Sequence, residues 1–266
     1  MRPRGVHAQR RRWQELRSKR RRGIFLLPSL LTTANLFCGF LALVLTADHR
    51  YDQAALAVFV AIVMDVLDGR IARLMQATSQ FGVEFDSLAD VVSFCVAPAF
   101  LIYAAALSQG GRPAWFGAFL FVICGALRLA RFNIHTGGDR RFFIGLPTPA
   151  AAGLVAGTVL LFGGEPAARW AVAAISAATY LVALLMVSTV RYWSFKELEF
   201  AQRRPLQTLL IVVLAVMIVA THHEIFLFAL FAIYTLSGPV RRLMMGRPEI
   251  VTTDAERKEP KGGKPQ

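Results

Sequence analysis

Long apolar runs broken by short polar stretches dominate the chain, and their lengths predict membrane-spanning helices at roughly 24–46, 53–74, 86–107, 114–134, 147–163, 167–189, 206–221 and 224–240. The fold class that follows is an all-α, polytopic membrane helix bundle with about eight transmembrane helices. Three parts are expected: a basic arm over 1–23, a transmembrane catalytic domain over 24–242, and a polar, disordered tail over 243–266 that carries Pro248, Pro260, Gly262, Gly263 and Pro265 among charges. No sequence repeat and no soluble second domain is apparent.

One stretch departs from the apolar pattern. Asp65, Asp68, Gly69 and Ala72 recur at i, i+3, i+4 and i+7, which puts two carboxylates and two small residues on one helix face. Gly82, Asp86 and Asp90 at i, i+4 and i+8 make a second such face. Leu74 to Phe81, with Gln76, Thr78, Ser79 and Gln80, joins them as a short polar connection, so the two acidic faces can meet.

Each aspartate at a bilayer centre costs roughly 2.5 to 3.5 kcal/mol on insertion scales, so something must offset four of them. Pairing with Arg70 and Arg73 is one solution. Glycines on the carboxylate faces favour another, because bare helix surface is needed where a ligand or a backbone comes close. Carboxylate oxygens in this number suit hard divalent ions, and two ions about 3.5 to 4 Å apart suit four carboxylates on two helices.

Composition agrees with a membrane protein: 55% hydrophobic and 18% charged residues over 266 positions, with a mean hydropathy of +0.48. The net charge of +13 is concentrated at the start, where 10 of the 30 Lys and Arg residues fall in the first 22 positions. That arm suits an anionic lipid surface and a cytoplasmic N-terminus. It does not suit nucleic acid, since only Trp13 offers a stacking ring. Arg140, Arg141, Arg191, Lys196, Arg203 and Arg204 fall on the same expected side, which places both termini and the acidic centre toward the cytoplasm.

Other polar positions lie near that centre. Thr32, Asn35 and Gly39 form a small polar face expected to dock against the second helix. Arg128 and Arg131 sit at i and i+3 near the end of the fourth, where a guanidinium fork can take a phosphate or a carboxylate. Cys38, Cys95 and Cys124 lack metal or redox spacing and read as packing residues, and His222 and His223 read as part of a short external turn.

The run Asp65-x2-Asp68-Gly69-x2-Ala72-Arg73-x8-Gly82-x3-Asp86-x3-Asp90 resembles the signature of the CDP-alcohol phosphatidyltransferase family at every fixed position. The resemblance implies an integral membrane enzyme that uses two divalent ions, Mg2+ or Mn2+, held by Asp65, Asp68, Asp86 and Asp90. It implies that Asn35, Asp65, Asp68, Gly69, Ala72, Arg73 and Gly82 bind the nucleotide of CDP-diacylglycerol, that Asp90 acts as general base, and that the protein is a homodimer in the plasma or inner membrane. ALRLARFN at 126–133, FIGLPTPAAAG at 143–153 and LMVSTVRYWSFK at 185–196 are similar to the bacterial and archaeal branch that uses L-serine as acceptor. Glycerol phosphate, inositol phosphate or choline as acceptor remain alternatives within the family. A cation or proton transporter is the alternative from another class.

Overall fold

The computed structural model describes residues 28–75, 79–134, 142–162, 168–193 and 205–245. Expectations that rest on the basic arm, on Gln76 and Thr78, on Arg140 and Arg141, on Lys196, Arg203 and Arg204, and on the tail past residue 245 fall outside those residues.

The described chain is an all-α bundle: α1 Pro28–Ala47, α2 Tyr51–Leu74, α3 Gln80–Leu107, α4 Gly111–Ile134, α5 Thr148–Phe162, α6 Arg169–Val187 and α7 Pro205–Met245. Two three-residue strands, β1 Phe142–Ile144 and β2 Arg191–Trp193, pair antiparallel beside it.

Five described helices are long and apolar enough to cross a membrane: α1, α3, α4, α6 and the His222–Met244 part of α7. The expected count of eight is not confirmed. In α2, Asp52, Asp65, Asp68, Arg70 and Arg73 interrupt the apolar run, and α5 is apolar but only 15 residues long. The segments expected at 206–221 and 224–240 form one helical run with a kink at His222 (φ −140°, ψ 55°), so the two histidines lie at a kink rather than in a turn.

α3 is the irregular member. Ser79 caps it by accepting from the Gly82 amide at 3.0 Å, and the stretch Val91–Val96 widens into a π-helix directly after Asp90. Pro98 explains the widening: it has no N–H for the Phe94 carbonyl and its ring crowds that turn. The irregular helix lies at the centre, touching α2, α4 and α5, while α4 packs along α6 and α5 along both α2 and α7.

Small residues set these distances. Ala54, Ala61, Ala97, Ala151 and Ala156 are fully buried, and a Cβ on Gly157 would lie 2.9 Å from Phe228 Cα. Phe37, Phe40, Val63, Phe119 and Ile233 point outward, as a lipid-facing surface requires. The three cysteines are free; Cys95 and Cys124 are buried and Cys38 half-buried, in keeping with packing roles.

Connections at one end tie the bundle together. The Gly145 amide donates to Val190 O at 2.8 Å and the Leu146 amide to Leu185 O at 3.0 Å, so the chain entering α5 is pinned to the chain leaving α6. Gly145 has φ +79°, and a Cβ there would lie 3.1 Å from Ser188 O. Tyr192 of β2 donates its hydroxyl to Thr235 O of α7 at 3.1 Å. Burial, with the Tyr234 phenol behind it, pushes the Tyr192 pKa up to about 12, so it stays a donor throughout the neutral range.

Candidate active site

The two acidic faces do meet. One carboxylate oxygen from each of Asp65, Asp86 and Asp90 lies within 4.8 Å of the other two, and all three residues are half-buried. α2 and α3 are neighbours in the chain, and Asp65 from the one comes within reach of Asp86 and Asp90 from the other. Neither Arg70 nor Arg73 pairs with an aspartate among the described residues, and both are exposed. Arg73 instead folds back along its own helix, with Nη1 3.9 Å from where a Gly69 Cβ would stand.

Asp68 stands apart from that group. It is 5% exposed, more buried than the other three, and it accepts a hydrogen bond from the Thr32 hydroxyl of α1. The sequence pattern places it with Asp65, yet Asp68 reaches the Thr32 hydroxyl of α1 whereas Asp65 joins Asp86 and Asp90.

α1 supplies a polar lining to both helices. Thr32 reaches Asp68 of α2, whereas Asn35 Nδ2 donates to Asp90 Oδ1 of α3 at 3.1 Å. Ser93 Oγ donates to Asn35 O at 3.0 Å, and a Cβ on Gly39 would lie 2.7 Å from Ser93 Cα. The face Thr32, Asn35, Gly39 therefore docks mainly on α3, not on the second helix as expected. Asn35 is fully buried.

Three carboxylates within reach of one point suit a hard cation, and the neighbouring atoms agree. Asp86 Oδ1 and Asn35 Oδ1 are buried with no hydrogen-bond partner among the described residues. Unpaired buried oxygens of this kind are costly unless a cation or water receives them. An aspartate group that can hold a metal ion is thus present, built from oxygen donors alone.

The two arginines expected to act together are placed differently. Arg128 turns inward, donates from Nη1 to Thr148 Oγ1 at 3.3 Å, and has its charge close to Asp90. Arg131 is exposed. Farther along the same helix, Asn133 donates to Ser87 Oγ of α3 at 2.9 Å, which holds the ends of α3 and α4 together. Gly69, Ala72 and Gly82 are half-buried around the acidic group, and Gly82 leaves room for the Ser79 cap, 3.1 Å from its missing Cβ.

Sequence reasoning missed Thr148 and Tyr234 as neighbours of Arg128. The only available signal was a threonine between two prolines in GLPTP and a tyrosine in an otherwise aliphatic span.

Comparison with known proteins follows the same pattern of residues. The family described as CDP-alcohol phosphatidyltransferase matches residues 25–182, which include α1 to α5 and every aspartate of the site. A CDP-diacylglycerol–serine O-phosphatidyltransferase of Helicobacter pylori strain 26695 is 36% identical over 224 residues, covering 84% of this chain and 93% of that relative. Its counterpart in strain J99 is 41% identical over 179 residues, or 66% and 76% of the two chains. An archaetidylserine synthase of Methanothermobacter thermautotrophicus is 39% identical over 169 residues, 62% of this chain and 69% of the relative.

Proposed function

Because the chain belongs to the CDP-alcohol phosphatidyltransferase family, we propose that it moves the phosphatidyl group of CDP-diacylglycerol to the hydroxyl of L-serine, giving phosphatidylserine and CMP. The observation that carries the reading is the meeting of Asp65, Asp86 and Asp90 beside a buried Asp86 oxygen that has no hydrogen-bond partner among the described residues. Family membership sets the transporter alternative aside.

Asp65, Asp86 and Asp90, with Asp68 at the edge, are the residues that would hold two ions, Mg2+ or Mn2+. When bound, such ions supply charge stabilisation to the diphosphate and to the departing CMP phosphate. The rest is the work of the chain. Asp90 takes the proton of the serine hydroxyl as it attacks the lipid-side phosphorus, and the Asn35 amide fixes the carboxylate through its Oδ1. Gly69, Ala72 and Gly82 keep the helix surface low so that the nucleotide can lie across it, with Arg73 available to the diphosphate.

Arg128 points inward with its charge acting on Asp90, and it suits the serine carboxylate, whose transfer from water into a partly membrane-embedded site needs a counter-charge. Arg131, exposed at the same helix end, serves as an outer guide for the same anion. The site faces the cytoplasm in this reading, because basic residues crowd the segments at that end, and the protein is a homodimer in the plasma or inner membrane.

The test is CMP release from CDP-diacylglycerol by purified protein given serine, glycerol phosphate, inositol phosphate or choline in turn. Release with serine and not with the others supports the proposal. Release with another acceptor alone keeps the chemistry and refutes the acceptor.

A further inference from the structure

Arg128 extends from α4 into a space walled by three other helices. Nη1 donates to the Thr148 hydroxyl of α5 at 3.3 Å, and Asp90 and Cys95 of α3 and Tyr234 of α7 are near enough for charge to act between them. The Nε–H is buried with no hydrogen-bond partner among the described residues. A buried guanidinium donor left open is costly, and an incoming anion relieves it. Guanidinium groups take carboxylates through two parallel N–H bonds, and Nε with Nη2 is one such edge. Once Nη1 is committed to Thr148, that edge is the one left to present.

Thr148 has no other visible task. It is fully buried at the first position of α5, yet its hydroxyl caps nothing in its own helix, since the Ala151 amide donates to Pro147 O at 3.0 Å. Arg128 is its one side-chain hydrogen-bond partner among the described residues. Gly125 sits one turn before Arg128 at the same junction: a Cβ there would overlap Cys95 Sγ, so a bare position lets α4 close on α3, while Thr148 Cγ2 of α5 stands at ordinary contact distance, 3.7 Å. Pro147, Pro149 and the bonds from Gly145 and Leu146 to the end of α6 then fix where the hydroxyl stands.

We propose that Thr148 is a positioning residue, whose hydroxyl holds Arg128 Nη1 so that the Nε edge faces the carboxylate of the amino-acid acceptor. The proposal rests on Arg128 being the acceptor's anion receptor, as argued above. Valine copies the shape of threonine without the acceptor oxygen, and serine keeps the oxygen without the methyl group.

The experiment is steady-state kinetics on the full-length protein, with serine and CDP-diacylglycerol varied separately, for Thr148→Val, Thr148→Ser, Arg128→Lys and the Thr148→Val/Arg128→Lys double variant. Thr148→Val should raise the serine KM roughly tenfold, the low end for a bond to a charged group, while kcat and the CDP-lipid KM hold. Thr148→Ser should stay within about twofold of the parent, and Thr148→Val should add less than about twofold to Arg128→Lys, because lysine has no Nη1 to hold. Unchanged constants in Thr148→Val, or effects that multiply in the double variant, would overturn the proposal. Should Thr148→Val and Arg128→Lys together shift the CDP-lipid KM instead, without multiplying, Thr148 still positions Arg128 and the acceptor reading is the part that fails. If Thr148→Val does not yield folded protein in a detergent melt, Thr148→Ala takes its place. A serine variant that fails to rescue then counts against the hydroxyl.

Discussion

Replacing Asn35 by Leu removes one specific hydrogen bond from Asp90, the proposed general base, and the structure sets its size. Asn35 is fully buried and its Nδ2 lies 3.1 Å from Asp90 Oδ1, a charge-assisted bond in a place that water does not reach freely. Such bonds contribute about 1.5 to 3 kcal/mol, and the loss falls on the orientation of Asp90 rather than on the affinity of either substrate. The expected consequence is a drop in kcat of about 10- to 150-fold with both KM values near the parent. Leucine copies the branched shape of asparagine but is larger, so a detergent melt checks that the packing of α1 on α3 at Gly39 and Ser93 survives. The assay is CMP release with each substrate varied in turn. A rise in the CDP-lipid KM at constant kcat would refute the reasoning and return Asn35 to the nucleotide, the role that the family resemblance implies.

Other expectations follow from the same geometry. Asp65→Asn and Asp86→Asn should each lower turnover at least about 100-fold even in saturating magnesium and manganese, because each removes an oxygen from the group of three; near-parental CMP release by either would exclude a metal role for that group. Thr32→Val should add little to Asp68→Ala, since the two remove opposite ends of one bond, and a double-mutant cycle on turnover reads the coupling. Arg128→Lys should weaken serine efficiency about 10- to 150-fold and Arg131→Lys distinctly less, as befits an inward and an exposed arginine, in kinetics with serine varied. Gly39→Ala should lower thermal stability by about 1 to 3 kcal/mol, because its methyl group has only 2.7 Å to Ser93 Cα, and thermal unfolding in detergent measures it.

The acidic centre was legible because helical periodicity is a strict rule: carboxylates and glycines at i, i+3 and i+4 share a face whatever surrounds them. The split between Asp68 and its three neighbours was not legible. It depends on a hydroxyl 36 residues away on α1, which spacing within α2 cannot report. Arg128 and Arg131 looked equivalent for a similar reason, since the inward turn of Arg128 toward Thr148 depends on α5, 20 residues farther along the chain. The bundle itself was readable from hydropathy, but its span count was not. Charges thin the apolar signal of α2, α5 is short, and hydropathy cannot distinguish a kink at His222 from a turn.

The most direct test of the central claim is the reaction itself. Full-length protein in CDP-diacylglycerol vesicles, supplied with L-serine and magnesium or manganese, should release CMP and phosphatidylserine in equal amounts, and Asp90→Asn should stop both. Equal release in the absence of any acceptor alcohol, or product formation that Asp90→Asn leaves intact, would contradict the account.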